Sequence, residues 1–393
     1  MKNFEFHIPT KVLFGKDTEK QVGKLIKGEN CKKVLVHYGS ESAKKSGLLD
    51  VVYASLKEAG IDYVSLGGVV PNPRLSKVYE GIEFGLKENV DFILAVGGGS
   101  VIDSAKAIGY GLFHKDVDVW DIFEGKVPVK GAIPNGCIPT IAAAGSEMSS
   151  ASVITKEDGA LKRSFKDDHG RCKFAILNPA LTLTLPDYQT ASGCTDILMH
   201  AMERYLSTDK NGMLKDALGE ALMRTVLYNA KLLFKNPSDY NARAEIMWAG
   251  TFAHNDVTGA RAVGDWASHQ IEHELGGLFD VAHGAGLAAI WGSWARYVYK
   301  EDVHRFAQFA VNVLGLPHNF DDPAETALRG IEAMEDFYRS IGMPTSIKEL
   351  GYEVTDEQIK EMAIKATYFG GRTIGTVKVP KADDIAKIYE MAR

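Results

Sequence analysis

The feature that most narrows the possible folds is Phe92-Ile-Leu-Ala-Val96, an unbroken apolar run that passes straight into Gly97-Gly98-Gly99-Ser100. A helical pattern follows from Val101 to Ile108. A short apolar run bounded by glycines fits a strand buried on both faces, as in a parallel sheet covered by helices. Glycines allow positive φ and close approach of the backbone to a ligand. The free N–H groups and dipole of the helix start then favour a phosphate. Ser100 is expected to cap this helix, with Asp103 in its first turn. The string is not the GxGxxG of the ordinary dinucleotide turn, and taken alone it also fits a tight turn that binds nothing.

The surrounding sequence repeats the strand-then-helix theme. Lys33-Val-Leu-Val-His-Tyr38 reads as a strand ending at Gly39, Gly47 to Ala59 as a helix closed by Gly60, and Ile61 to Leu66 as a second strand. Leu75 to Lys87 is again helical, and a short strand near Gly136 to Pro139 leads into Thr140. The small-residue run Thr140-Ile-Ala-Ala-Ala-Gly-Ser-Glu147 offers hydroxyls and close backbone approach, either as a cofactor wall or as a packed turn. From about Leu185-Pro186 long helix-period segments take over: Ala191 to Leu206, Leu214 to Phe234, Ala242 to His254 and Ala324 to Ile341. Asn236-Pro237 and Gly342-Met-Pro344 mark helix ends. The expected organisation is a Rossmann-like α/β dinucleotide-binding domain over residues 1–185 and an all-helical domain over 186–393, to which the candidate metal ligands below would give the metal-binding and catalytic role.

Charge and length bound the function. A chain of 393 residues with net charge −6 and pI near 6.0 carries no basic footprint for nucleic acid or an anionic membrane. The start, Met1-Lys-Asn-Phe-Glu-Phe, does not read as a signal peptide. No run of about 18 apolar residues could span a bilayer. A cytoplasmic location is expected. Cys31, Cys137, Cys172 and Cys194 are widely separated, without a CxxC pair, and read as reduced thiols rather than a disulfide framework.

Candidate metal ligands gather in the second half. Asp196 and His200 lie four residues apart on a predicted helix, so their side chains leave the same face. His269 and His273 repeat that spacing, and His283-Gly284 follows ten residues later, past a helix end expected at Gly276-Gly277. One carboxylate with several imidazoles suits Fe2+ or Zn2+. The HEXXH protease pattern is absent, because Glu272 follows His269 by three residues. Spacing alone does not bring distant segments together.

Taken together, Gly97-Gly-Gly-Ser-Val-Ile-Asp-Ser-Ala-Lys106, the Asp196/His200 pair and His269…His273…His283-Gly284 resemble the iron-containing alcohol dehydrogenase family. The likeness runs from Pro9-Thr-Lys-Val-Leu-Phe-Gly15 through Pro71-Asn72-Pro73 to the C-terminus. Tyr38-Gly-Ser-Glu-Ser, Asp265-Trp266-Ala and Ile388-Tyr-Glu-Met-Ala-Arg are similar to the butanol dehydrogenase and NADP-dependent aldehyde reductase branch. The resemblance implies that Asp196, His200, His269 and His283 bind the metal. It implies that Asn72, Gly97, Gly98, Gly99, Ser100, Thr140, Ser149 and Lys162 lie along the dinucleotide, and that His273 sits beside nicotinamide and substrate. It also implies a homodimer. Two positions depart from the family pattern: Ala144 stands where threonine is usual, and Asn178 where aspartate is common.

Such a chain would move hydride between NAD(P)H and a small primary alcohol or aldehyde. Four protein ligands leave the substrate oxygen as a fifth, which Fe2+ accepts more readily than Zn2+. His273 is a candidate for the proton path, or for a hydrogen-bonding role behind the ligands. Gly39-Ser40, with Lys44 and Lys45 close behind, suits the 2′-phosphate of NADP(H) over NAD(H), unless Glu41 points inward. A dehydroquinate synthase-like lyase would need a basic lining that the sequence does not show around Asp196, His200 or His269. Glycerol dehydrogenase relatives generally lack the full aspartate and three-histidine pattern, and a non-catalytic nucleotide-binding module would have lost a ligand.

Overall fold

The computed structural model describes residues 3–208, 212–259 and 263–393. It resolves into two compact units, His7–Thr184 and Leu185–Arg393, the latter joined by the leading segment through Phe6.

The first unit is built on a parallel six-stranded sheet. Its strands are β1 (Lys11–Phe14), β2 (Lys33–Tyr38), β3 (Asp62–Leu66), β4 (Phe92–Gly97), β5 (Asn135–Pro139) and β8 (Phe174–Leu177). A separate antiparallel hairpin is formed by β6 (Ala151–Lys156) and β7 (Leu161–Lys166). The sheet order is β1-β8-β5-β4-β2-β3. β4, β5 and β8 are buried along their whole length, as both-face burial demands of a central parallel strand. The edge strands β1 and β3 show exposed positions instead. Helices α1 (Leu48–Ala59), α2 (Leu75–Glu88) and α3 (Gly99–Phe113) follow β2, β3 and β4. One layer of core joins Val34, Val36, Leu94, Val96, Ile138 and Ile176 from the sheet to Leu49, Val52 and Leu56 of α1.

This order fixes where a ligand can lie. The chain runs from β2 outward to β3, then returns to place β4 on the other side of β2. The turns after β2 and β4 therefore diverge and leave a crevice at the carboxyl ends of adjacent strands, the usual ligand position in open α/β sheets.

Among its described residues the second unit contains helices and no strands. They are α4 (Asp187–Tyr205), α5 (Met213–Lys235), α6 (Tyr240–His254), α7 (Ala267–Phe279), α8 (His283–Val298), α9 (Val303–Asn312), α10 (Pro323–Ser340), α11 (Asp356–Ala366) and α12 (Ala382–Ala392), with short 3-10 turns between. Every residue of α8 from Gly284 to Ala295 is buried, which its apolar, small-residue sequence permits on all faces. α7 continues through Gly276-Gly277 to Phe279, so the helix end expected at those glycines is corrected; Asp280, in the left-handed region, terminates it. His283 accordingly opens a new helix rather than lying in a loop. Among the described residues no helix is long and apolar enough to cross a membrane.

Candidate metal centre and dinucleotide loop

The carboxylate and imidazoles singled out from sequence converge in the helical unit. Asp196 and His200 project from one face of α4, His269 from the first turn of α7, and His283 from the start of α8. Asp196 Oδ1 lies 3.0 Å from His200 Nδ1, 3.8 Å from His269 Nε2 and 3.9 Å from His283 Nε2. Donors around one tetrahedral ion sit about 3.4 Å from one another when each bond is near 2.1 Å, so the two Nε2 spacings, 3.8 and 3.9 Å, are near those of a shared metal. Asp196, His200 and His269 form one candidate ligand group; Glu272, His273 and His283 form a second beside it.

Gly284 explains how the third element comes so close. A Cβ there would stand 1.9 Å from the Ser192 carbonyl oxygen, so α8 meets α4 backbone to backbone at this residue. That approach carries His283 to the Asp196 side chain one turn further along.

Two buried glutamates hold the rings. Glu203, on α4 one turn past His200, bonds Nδ1 of His269 and also accepts the backbone N–H groups of Ser268 (2.8 Å) and His269 (3.3 Å). It thus caps the first turn of α7 and fixes the imidazole with one carboxylate. Glu272 bonds Nδ1 of His283 in the same way. With Nδ1 of both rings so occupied, Nε2 is the nitrogen left to a metal. His200 is held from its own helix, its Nδ1 lying 2.9 Å from the Asp196 carbonyl oxygen.

Asp196 Oδ1 and His269 Nε2 are buried without a hydrogen bond. Such atoms are costly unless something charged joins them. A divalent cation fits: it satisfies both and offsets the negative charge gathered by Asp196, Glu203 and Glu272. The electrostatics of Asp196 and His200 agree. Burial alone would raise the Asp196 carboxyl, yet the neighbouring imidazoles hold it well below the usual range and therefore ionised. Burial keeps His200 neutral, lowering it to about 4. At His269 burial is outweighed by Glu203 and Asp196, which push it up to about 9.

Other rings complete the wall. Trp266 adopts a left-handed backbone (φ 61°) at the start of α7 and stands 5.3 Å from the His269 ring, with the Arg204 guanidinium 4.6 Å from its own. His254 packs against His200, ring centres 4.1 Å apart. His273 is buried, its ring 5.7 Å from that of His283. Phe252 packs edge-on against the exposed Trp248.

In the α/β unit, Gly97, Gly98, Gly99 and Ser100 carry the chain from β4 into α3, beside Thr140, whose N–H bonds the Gly97 carbonyl at 3.2 Å. Gly39 and the exposed Ser40 follow the adjacent strand β2. The expected Ser100 cap is corrected: α3 begins at Gly99 with Gly98 as its N-cap and no side-chain cap, so Ser100 is already helical. Asp103 lies beyond the first turn and faces elsewhere. Its carboxylate accepts the Val153 N–H at 2.9 Å and bonds the Ser146 hydroxyl.

Lys106, fully buried, donates to the carbonyl oxygens of Ser146 (2.7 Å), Ser149 (2.9 Å) and Ala151 (2.8 Å). Asp103 and Lys106, one turn apart on α3, thereby clamp the segment leading into the hairpin. That segment presents Ser149, and Thr155 of the hairpin is paired with Lys162. Thr155 N–H in turn bonds the Pro73 carbonyl (2.8 Å), tying in the turn at Asn72, which takes φ 52° as asparagine tolerates. Asn72, Ser149 and Lys162 are all buried. Glu41 does not point inward; it pairs with Lys44 at 3.3 Å on the surface.

Spacing does not reveal Glu203, Glu272 or His254, since single residues inside helices carry no pattern of their own. Asp103 and Lys106 stand out as part of a distinctive string, without their task.

The family model "Iron-containing alcohol dehydrogenase" matches residues 9–179, and "Fe-containing alcohol dehydrogenase family, C-terminal" matches residues 190–393. The chain is 36% identical to NADH-dependent butanol dehydrogenase A of Clostridium acetobutylicum, over 99% of each chain. It is 33% identical to the NADPH-dependent aldehyde reductase YqhD of Escherichia coli, over 100% of each chain. The crystal structure of NADH-dependent butanol dehydrogenase A from Thermotoga maritima superposes with a TM-score of 0.94 at 37% identity, covering 100% of this chain and 99% of that one.

Proposed function

The chain belongs to the iron-containing alcohol dehydrogenase family, in its butanol dehydrogenase branch, and from that premise we propose how its residues perform an alcohol dehydrogenase or aldehyde reductase reaction. It is an NAD(P)-dependent oxidoreductase. Asp196, His200, His269 and His283 hold the metal, and residues 186–393 are the catalytic domain. When bound, a divalent metal supplies a Lewis acid for the carbonyl oxygen and a reduced nicotinamide supplies the hydride. One carboxylate with three imidazoles would hold Fe2+ or Zn2+, and the match to the iron-containing family favours Fe2+.

The protein's part is orientation and exclusion of water. Glu203 and Glu272 keep Nε2 of His269 and His283 aimed inward. Trp266 and His254 cover the imidazoles with apolar and aromatic surface. His273, buried beside His283, delivers the proton to the substrate oxygen. Gly97, Gly98, Gly99 and Ser100 take the dinucleotide phosphates on the first N–H groups of α3, with Asn72, Thr140, Ser149 and Lys162 along the rest of the cofactor. The Ser40 hydroxyl after Gly39, with Glu41 turned away onto Lys44, favours the 2′-phosphate of NADPH over NADH. Small primary alcohols and aldehydes are the substrates, and the enzyme works in the cytoplasm as a homodimer.

The observation that carries this reading is the pair of buried, hydrogen-bond-free atoms, Asp196 Oδ1 and His269 Nε2, facing each other at 3.8 Å, with the imidazole already tied at Nδ1. The test is NADPH oxidation against C2 to C6 aldehydes by the metal-reconstituted enzyme, beside His283→Ala. A fall in kcat of several orders of magnitude is expected, and undiminished turnover would refute the site. In the same assay kcat/KM should be higher with NADPH than with NADH.

A further inference from the structure

We propose that Trp266 limits the length of the aldehyde or alcohol that the metal centre accepts, and that Arg204 and Asp265 are the positioning residues that hold its indole in place. The assignment rests on the metal centre proposed above and adds to it the side chain that decides substrate size. The indole stands edge to face with two of the candidate ligands, its centre 5.3 Å from the His269 ring and 5.9 Å from the His200 ring. Its neighbours Gly264, Asp265, Ala267, Ser268 and His269 are buried, whereas Trp266 is half-buried. It is therefore the part of this turn that reaches open space beside the imidazoles. A substrate oxygen on a metal held by those rings leaves its carbon chain only a few methylenes from a broad aromatic surface.

The backbone gives a second, independent sign. Trp266 has φ 61°, a left-handed conformation that is an outlier for a bulky residue. Such strain persists only where the surroundings over-determine it, and it gathers at functional sites. Here Asp265 sets it from both sides. Its carboxylate accepts the N–H of Ala267 (3.1 Å) across the tryptophan, and the N–H groups of Thr376 (2.6 Å) and Val377 (2.8 Å) from the segment before α12. Its own N–H bonds the Glu203 carbonyl at 2.8 Å.

Arg204 fixes the ring itself. Its guanidinium lies 4.6 Å from the indole centre, an attractive placement because the ring face is electron-rich. The arginine is buried; Nη1 donates to the His200 carbonyl (3.1 Å) and Nη2 to Asp256 (3.3 Å). Two glycines leave the room. A Cβ at Gly259 would stand 2.8 Å from Arg204 Nε, and one at Gly264 would stand 2.6 Å from Trp266 Nε1. A tryptophan that only filled core would need neither a strained backbone nor a buried cation against a ring still open to solvent.

Reduction of propanal and octanal by the metal-reconstituted enzyme with saturating NADPH tests the assignment. The ratio of kcat/KM for octanal to that for propanal should rise at least about tenfold in Trp266→Ala, through the KM for octanal, because several methylenes gain room. Trp266→Phe, which keeps a smaller ring, should lie between the wild type and Trp266→Ala. Arg204→Lys keeps the charge facing Asp256 but loses the flat stack. Asp265→Asn keeps an acceptor for Ala267 but sets N–H against N–H at Thr376 and Val377. Both should shift the ratio in the same direction. In both, with or without metal, the fluorescence component missing from Trp266→Phe should become at least about twofold more open to acrylamide quenching. An unchanged ratio in Trp266→Ala overturns the role in substrate size, and unchanged quenching in both Arg204→Lys and Asp265→Asn overturns the positioning role. His283→Ala separates these results from the metal centre. Full turnover in that variant removes the premise, whereas its loss of turnover beside an unchanged Trp266→Ala ratio removes only the assignment made here.

Discussion

At Gly99 an added Cβ would meet Ala144 Cβ at 3.5 Å and Ser146 Cβ at 3.9 Å, both ordinary contacts; at Gly98 it would stand 2.6 Å from Ile141 Cγ2. The protein alone therefore needs glycine at 98 but not at 99. Gly99→Ala should fold with an unchanged melting temperature yet bind the dinucleotide at least tenfold more weakly, as measured by nicotinamide fluorescence, because only a bound phosphate approaches that position. Glu203 makes a different demand. Glu203→Gln cannot serve both the α7 N–H groups and His269 Nδ1, and metal affinity measured by competition with a chelating dye should fall roughly 10- to 100-fold. His37 shows what burial does to a titrating group outside the site. It bonds Ser104 Oγ and the Leu66 carbonyl, and burial lowers it to about 4. The unfolded chain therefore binds the proton first, so this residue's contribution is complete above pH 6.5 and is lost as pH falls toward 4. By pH 5 the loss is about 2 kcal/mol, and the difference in urea midpoint between pH 8 and pH 5 should shrink in His37→Gln. The sequence exposes Asp196 and His200 through their i,i+4 spacing. It cannot expose Glu203, whose partners Ser268 and His269 lie on another helix far along the chain.

The elements show the same division. β4 and α3 are readable because an apolar run and glycines dictate a buried strand and a sharp turn, and β2 and β3 follow by the same logic. The hairpin β6–β7 is not, since Lys156, Lys162, Arg163 and Lys166 break any clean alternation of apolar and polar residues. Its place is set instead by α3, through Asp103 and Lys106. Lys106→Met would leave the carbonyls of Ser146, Ser149 and Ala151 without their donor in a buried site, at a cost of at least about 3 kcal/mol. Hydrogen exchange should rise across residues 146–156 in that variant while β2 and β4 stay protected. Uniform exchange in both regions would show that the clamp does not govern the segment.

For the whole molecule, the fold class is legible because parallel strands buried on both faces and long helix-period segments cannot share one pattern. What the sequence leaves open is convergence: spacing places four candidate ligands on three segments, and the meeting of α4 with α8 at Gly284 brings His283 to the Asp196 carboxylate. A metal that binds only the folded chain stabilises it by mass action, about 2.7 kcal/mol at a free concentration roughly one hundred times its dissociation constant. Thermal unfolding should therefore shift upward with Fe2+ or Zn2+ in the wild type and not in His269→Ala. Anomalous diffraction from crystals grown with Fe2+ is the most direct measurement. A single strong peak is expected within about 2.0–2.3 Å of Asp196 and the imidazoles of His200, His269 and His283. A peak on Glu272 and His273 instead, or those four side chains without one, would contradict it.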